Sequence, residues 1–370
     1  MIDFNTLAQA GIRSLRAYDP GHDLVALRKQ ATQSLLELGS NENPYGASPQ
    51  AKQAVIAALD TAHIYPDPLG GDLKRALAQR HAVDAANILL GNGSHELLMQ
   101  FAQVFAGPGD EVVASQYGFA VYALAAQAAG ARLVLAKANP HDHAMPRGHD
   151  LDALLAAVTP RTKLVYLANP NNPTGTWYSQ QAFANFLAQL PAQVLLVVDE
   201  AYAEFVDAPD YASALALRDQ HPNVIVTRTF SKAYALAGLR VGFAVVHPDC
   251  IAVMERVRES FNVNALGLVA AEAALRDATH LAAAVAGNRH QREALAAALR
   301  QRGLMVSPSQ TNFLLAEFGA ATASIEAALV ARGVILRPMG GYGLGDCLRI
   351  TVGTEHENAR LLVALDEVMA

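Results

Sequence analysis

Four short polar clusters stand out, each placed directly after a run of apolar residues. LVYLA runs into Asn169-Pro170-Asn171-Asn172-Pro173-Thr174-Gly175, VLLVV into Asp199-Glu200-Ala201-Tyr202, and NVIVTRT into Phe230-Ser231-Lys232, with Arg240 eight positions further on. A fourth run, NILLG, ends in Gly91-Asn92-Gly93-Ser94 at the start of an amphipathic stretch. Taken singly, each has an ordinary reading. NPNNPTG is a turn signal, an Asp after an apolar strand is often a helix cap, and GNGS before a helix is a tight turn. GNGS does not complete the G-x-G-x-x-G dinucleotide fingerprint, because position 96 is Glu. Their joint occurrence, each at a strand end, is what carries chemistry.

Together they supply a lysine for an imine, a carboxylate for a ring nitrogen, donors for a phenolate oxygen and a cup for a phosphate. Those are the requirements of pyridoxal 5'-phosphate. In this reading Lys232 is the Schiff-base lysine, and Asp199 pairs with the pyridinium and keeps its nitrogen protonated. Asn172 and Tyr202 hydrogen-bond the phenolate oxygen. Backbone N–H groups at Gly93, Ser94 and His95, at a helix start, receive the phosphate. Ser231 and Arg240 complete that cup with a hydroxyl and a guanidinium fork. Phe119 is placed to stack on the ring, with ordinary core packing as its plain alternative.

These groups need a scaffold that brings strand ends to one edge. From about residue 50 the sequence alternates helical stretches with strands, namely ANILLGNGS, EVVAS, ARLVLAK, TKLVYLANP, QVLLVVDEAY, NVIVTRTFS and VGFAVVHP. Several are continuous apolar runs, as expected for parallel strands buried on both faces. The expected class is therefore α/β, with ligands at the carboxyl ends of the strands. Ser94 is expected to cap the helix SHELLMQFAQVF. Residues 1–35 read as an arm with one short helix, 36–250 as a large domain, and 251–370 as a smaller α+β domain. Helices over 251–259 and 264–302 are expected there, with strands at TNFLLAEF, GVILRP and CLRITVG. Thr354 and Glu357 have the spacing of a capping box.

Composition narrows the partners. The chain has 370 residues, a net charge of −6, 52% hydrophobic and 17% charged residues, and no long basic run. This argues for a compact enzyme and against nucleic acid. No signal peptide and no membrane span are read from it, since no stretch approaches about 18 strongly apolar residues. Cys250 and Cys347 are far apart and in no ligand spacing, so neither a disulfide framework nor a metal site is expected, and a reducing, cytoplasmic setting fits. His141, His143 and His149 fall in a Pro/Asp/Gly stretch read as a solvated loop. The glycine-rich MGGYGLGD (339–346) is read as a lip over the site or a plain turn.

NPNNPTG, DEAY and TFSKAYALAGLR resemble the fold-type I aminotransferases of classes I and II. LGSNENPYG, IYPDP and CLRITVG bring the likeness closer to the histidinol-phosphate aminotransferase subgroup, over about residues 18–360. The resemblance implies a mostly parallel seven-stranded sheet in the large domain. It also implies a homodimer in which Tyr65 reaches the neighbouring subunit's cofactor phosphate. Arg349 resembles the arginine that binds the substrate's anionic group, while Arg337 and Tyr18 match positions that help hold a substrate phosphate. The implied reaction moves the amino group of L-histidinol phosphate to 2-oxoglutarate, giving imidazole-acetol phosphate and L-glutamate. Lys232, once released, would act as the base at the substrate Cα. An aromatic-amino-acid aminotransferase and a phosphothreonine decarboxylase are the rival readings on the same scaffold. A non-catalytic regulator is disfavoured for want of a DNA-binding segment. The sequence departs from the subgroup's pattern at Gly93-Ser94-His95-Glu96 and at SQYGFAVY (115–122). The second departure leaves Tyr117 as a rival to Phe119 for the stacking position.

Overall fold

The structure is a computed structural model and describes residues 2–15, 21–30 and 34–370. Tyr18 lies outside the described residues. Three short helices, α1 (Phe4–Leu7), α2 (Ala10–Arg13) and α3 (Leu24–Gln30), occupy the arm, where the sequence suggests one. They are separate because each spans seven residues or fewer and is held locally; Asp3, for instance, accepts from the N–H groups of Asn5 and Thr6 to start α1.

The elements that follow are β1 (Leu36–Glu37), α4 (Pro49–Ala58), α5 (Gly71–His81), β2 (Ile88–Gly91), α6 (Ser94–Phe105), β3 (Glu111–Ser115) and α7 (Ala120–Ala128). After them come β4 (Arg132–Ala136), α8 (Leu151–Ala156), β5 (Thr162–Ala168), α9 (Gln180–Leu187), β6 (Leu195–Asp199), β7 (Val224–Thr229) and β8 (Gly242–Val245). Strands β2 to β8 form one seven-stranded sheet in the order β2-β8-β7-β6-β5-β3-β4. The five strands from β7 to β4 are parallel, and β8 runs antiparallel to both its neighbours. The apolar runs have the expected cause. Along β5, Leu164 and Tyr166 enter one core with Leu98 and Phe101, while Val165 and Leu167 enter the opposite core with Phe183 and Phe186. Both faces are thus covered by helices, and polar residues are confined to the strand ends.

The segment after β8 begins with α10 (Pro248–Met254), α11 (Ala265–Arg276) and α12 (Ala278–Gln301). The helix expected over 264–302 is therefore two helices. Asp277 interrupts it, because its carboxylate caps α12 at the His280 N–H (3.2 Å) and accepts from the Ser48 hydroxyl. Next come β9 (Met305–Val306), β10 (Phe313–Glu317), α13 (Thr322–Ala331), β11 (Val334–Ile335), β12 (Arg337–Pro338), β13 (Cys347–Thr351) and α14 (Glu355–Met369). An antiparallel sheet in the order β12-β13-β10-β9 shares a core with α12, α13 and α14, through Leu299, Leu314, Leu329, Ile350 and Leu361. Packing cuts across the division at residue 250. Leu268, Ala270 and Ala271 of α11 share a core with Ile88 and Phe243 of the large sheet. Leu36 and Glu37 pair in parallel with Val334 and Ile335 of β11. No helix among the described residues is long and apolar enough to cross a membrane.

The cap expected at Ser94 sits one residue earlier. Gly93 holds the cap position at φ +84 with no side-chain cap, and Ser94 is the first helical residue. Glycine is favoured there because φ +84 with ψ 159 is a conformation that residues with a Cβ rarely adopt. The capping box of α14 is present as expected, with Thr354 Oγ1 accepting from Glu357 N–H and the Glu357 carboxylate accepting from Thr354 N–H. Thr354→Ala should lower stability by about 1 kcal/mol, read as a lower urea midpoint; an unchanged midpoint would show that the cap does not stabilise the C-terminal sheet and helices.

Candidate active site

The register of the parallel strands brings Ala168 opposite Asp199 and Asp199 opposite Thr227, so their carboxyl ends open onto one edge. A cavity of about 200 Å³ lies there. It spans the point between β3 and β5 where strand order reverses, the usual ligand position in open α/β sheets. Ser94, His95, Phe119, Asn172, Asp199, Tyr202, Ser231, Lys232, Arg240, Arg337 and Arg349 all line it. Of the remaining expected residues, Gly93 lies against Arg240 at its rim. Tyr65 is not brought to the cavity within one chain. It is 79% exposed and stacks on Phe261 with ring centroids 4.6 Å apart.

Lys232 Nζ donates to the carbonyl oxygens of Ser40 and Asn41, both at 3.2 Å. The residue keeps some exposed surface because it faces the cavity. Its amine nonetheless lies deep among protein atoms, and burial, aided by the Arg349 and Arg240 charges, pushes its pKa down to about 7. A large fraction is thus the neutral, nucleophilic amine near neutral pH.

Asp199 is the carboxylate of the set and is 5% exposed. Its donors are the Tyr122 hydroxyl (3.0 Å), the Ala201 N–H (3.2 Å) and the Thr227 hydroxyl (3.4 Å). Burial outweighs these neutral donors and pushes its pKa up to about 6. Such a carboxylate is ready to be re-acidified by a cationic N–H placed beside it. Glu200, next in sequence, takes no part in the cavity. It is buried against Arg228 (2.7 Å) and the Ser213 hydroxyl, locking the loop that follows β6.

Asn172 is fixed by Arg349, whose Nη1 donates to its Oδ1 at 2.7 Å, while Arg349 Nη2 donates to Gly39 O at 2.8 Å. Tyr202 is held by Asn41 Nδ2, which donates to its hydroxyl oxygen at 2.9 Å, and by an edge contact with Phe313. Burial raises the Tyr202 pKa, so the phenol keeps its proton for donation. Ser231 Oγ accepts from Thr229 Oγ1 (3.0 Å) and Arg240 Nη1 (3.3 Å). With Gly93 and Ser94 these make a cup of one guanidinium, two hydroxyls and a helix N-terminus, a set suited to a phosphate dianion. Arg337 and Arg349 are register partners across β12 and β13. Like charges directly opposite disfavour strand pairing, and an anion between them relieves that.

The alternatives left open by the sequence separate here. Phe119 lines the cavity, while Tyr117 packs with Leu315, Met339 and Leu344. The histidine-bearing loop is not a plain solvated one. His141 pairs with Glu317 at 2.9 Å, and His149 is half-buried, its Nε2 accepting from Ala168 N–H, with its pKa pushed down to about 4 by desolvation of the ring. Glu317, Asp346 and Cys347 lie within 4.8 Å of one another, but the Arg147 guanidinium spans Glu317 and Asp346. In the glycine-rich stretch, Tyr342 accepts from Ala120 N–H at 3.3 Å, which ties it to α7. Tyr122 and Asn41 were not singled out by sequence. Tyr122 lies in the first turn of α7, three positions after its cap residue Phe119, whose ring it meets edge-on.

Residues 33–365 match the family model described as aminotransferase class I and II. The chain is 45% identical over 369 residues to histidinol-phosphate aminotransferase 2 of Methylococcus capsulatus, with 100% of each chain covered. It is 44% identical over 373 residues to histidinol-phosphate aminotransferase 2 of Pseudomonas aeruginosa, again with 100% of each covered. The crystal structure of histidinol-phosphate aminotransferase from Sinorhizobium meliloti in complex with pyridoxal-5'-phosphate matches with a TM-score of 0.88 at 33% identity, over 98% of this chain and 97% of that one. The chain belongs to the aminotransferase class I and II family.

Proposed function

We propose that this chain is a histidinol-phosphate transaminase that uses pyridoxal 5'-phosphate held at Lys232. The observation that carries the reading is a buried lysine amine of lowered pKa in the same cavity as a buried carboxylate and a guanidinium-hydroxyl cup. When bound, the cofactor supplies an aldehyde for covalent capture and a ring that takes up the electrons left at the substrate Cα. Asp199 holds the ring nitrogen's proton. Asn172 and Tyr202 orient the phenolate oxygen, and Phe119 covers a ring face. Ser94, Ser231, Arg240 and the N–H groups from Gly93 to His95 hold the phosphate. Lys232 takes the proton from the substrate Cα and returns it to the acceptor carbon.

Arg337 and Arg349 receive the phosphate of L-histidinol phosphate. Arg349 also takes the carboxylate of 2-oxoglutarate, since a planar fork serves both anions. Tyr18 is assigned to the same phosphate by resemblance. Tyr65 is assigned to a partner subunit's cofactor phosphate, so the working form is a homodimer. Its exposed position beside Ile64 and Phe261, both exposed apolar residues, supports that assignment.

Three outcomes are expected. Amine-directed labelling of the cofactor-free protein should reach half its extent at Lys232 near pH 7, whereas exposed lysines need about pH 10; a Lys232 midpoint near that higher value would remove the nucleophile from the account. In single half-reactions without keto acid, histidinol phosphate should discharge the cofactor absorbance faster than phenylalanine, tyrosine or phosphothreonine, and Lys232→Ala should not turn over. A preference for the aromatic amino acids would overturn the substrate while leaving the cofactor roles. Arg337→Ala should raise KM for histidinol phosphate roughly tenfold or more, the loss of one charge-assisted contact, and leave KM for 2-oxoglutarate nearly unchanged; equal effects on both would refute the division of labour between the two arginines.

A further inference from the structure

A second cavity, about 410 Å³ in volume, shares no lining residue with the first. One wall comes from the segments that follow β5 and β6, at Trp177 and Asp207. The other comes from α12 and the stretch between β9 and β10, at Arg292, Arg300 and Ser307. Arg292 is 4% exposed and is held by the carbonyls of Phe205 (3.4 Å) and Thr311 (3.5 Å) and by Asp207 (3.2 Å). Asp207 also takes Arg289 Nε at 2.8 Å, so a single carboxylate serves two guanidiniums. Arg300 donates to Val306 O at 3.2 Å. Among the described lining residues, three guanidiniums face two carboxylates, Asp207 and Glu293, leaving a surplus of positive charge.

Two further features point to a ligand. Ser307 is 1% exposed, and its hydroxyl has no hydrogen-bond partner among the described residues. An unpaired buried hydroxyl is unfavourable, and an anion's oxygen would give it a partner. Trp177, the single tryptophan of the chain, is fixed by its Nε1 donating to Asp210 at 3.0 Å and offers a flat wall beside Pro209 and Pro308.

We propose that this cavity binds a small organic anion, with its carboxylate or phosphate on Arg300 and Ser307 and a flat apolar body against Trp177. The site stands apart from the first cavity and shares none of its residues. Its coupling to the first cavity is short. Arg292 grips Phe205 and Thr311, Phe205 packs with Tyr202 and Phe313, and the Phe313 ring lies 5.3 Å from the Arg349 guanidinium carbon.

Trp177 fluorescence of the cofactor-loaded protein reports the site. Phenyl phosphate and benzoate should each give a saturable change, and inorganic phosphate should bind more weakly than phenyl phosphate because it lacks the flat body. Whichever aromatic anion is tighter identifies the preferred head group. Arg300→Ala and Ser307→Ala should each weaken the tighter probe roughly tenfold, about 1.4 kcal/mol. The absence of a saturable change in the unmodified protein would overturn the proposal. So would titrations in Arg300→Ala and Ser307→Ala that superimpose on the parent curve.

Discussion

Four basic side chains, Lys232, Arg240, Arg337 and Arg349, line the first cavity with Asp199 as the only carboxylate among its described residues. Concentrating like charge in a part-enclosed space is unfavourable, and the surroundings answer it in two ways. Lys232 gives up proton affinity, its pKa falling to about 7. Arg240 and Arg349 lean on neutral oxygens, at Ser231, Ala237, Asn172 and Gly39. A cavity built this way favours anionic ligands, and it leaves one amine uncharged enough to attack a carbonyl. The proposed nucleophile, phosphate cup and substrate-anion reader thus share one part-enclosed, positively charged cavity, in which burial is the larger cause of the lowered Lys232 pKa and the arginine charges add to it.

Holding that imbalance in place also takes residues that orient the others. Asn41 is the central one. Its amide donates to Tyr202, its carbonyl accepts from Lys232 and Asn312, and its N–H donates to Thr351 at the end of β13. One residue at φ +55 therefore connects the large sheet's edge with the C-terminal sheet. Tyr122 plays the matching part for Asp199 from the other side, stacked flat on Tyr166 at 4.9 Å and fully buried. Its burial holds its pKa well above that of an ordinary phenol, so it remains a donor to the carboxylate.

Much of this was legible in the sequence because parallel strands write their ends plainly. A buried strand must be apolar throughout, so Asn169, Asp199 and Ser231-Lys232 mark the carboxyl edges of β5, β6 and β7 without any knowledge of the fold. What stayed hidden depends on contacts distant in sequence. Asn41 acquires its role from Tyr202, 161 positions away. The break at Asp277 depends on Ser48, 229 positions away. The ordering of the loop at His141–His149 depends on Glu317 and on the end of β5. Gly93 rather than Ser94 at the cap of α6 follows from a backbone conformation, φ +84 and ψ 159, that local side-chain cap preferences do not encode. Tyr65 illustrates a further limit, since its assigned target lies on another chain.

The most direct test of the account is chemical capture at the amine. Borohydride reduction of the protein loaded with pyridoxal 5'-phosphate, followed by peptide mass spectrometry, should find the reduced adduct on Lys232, in the segment between β7 and β8. An adduct mainly on any other lysine, or none after complete loading, would contradict the claim that Lys232, buried in this cavity among its arginines, is the carrier.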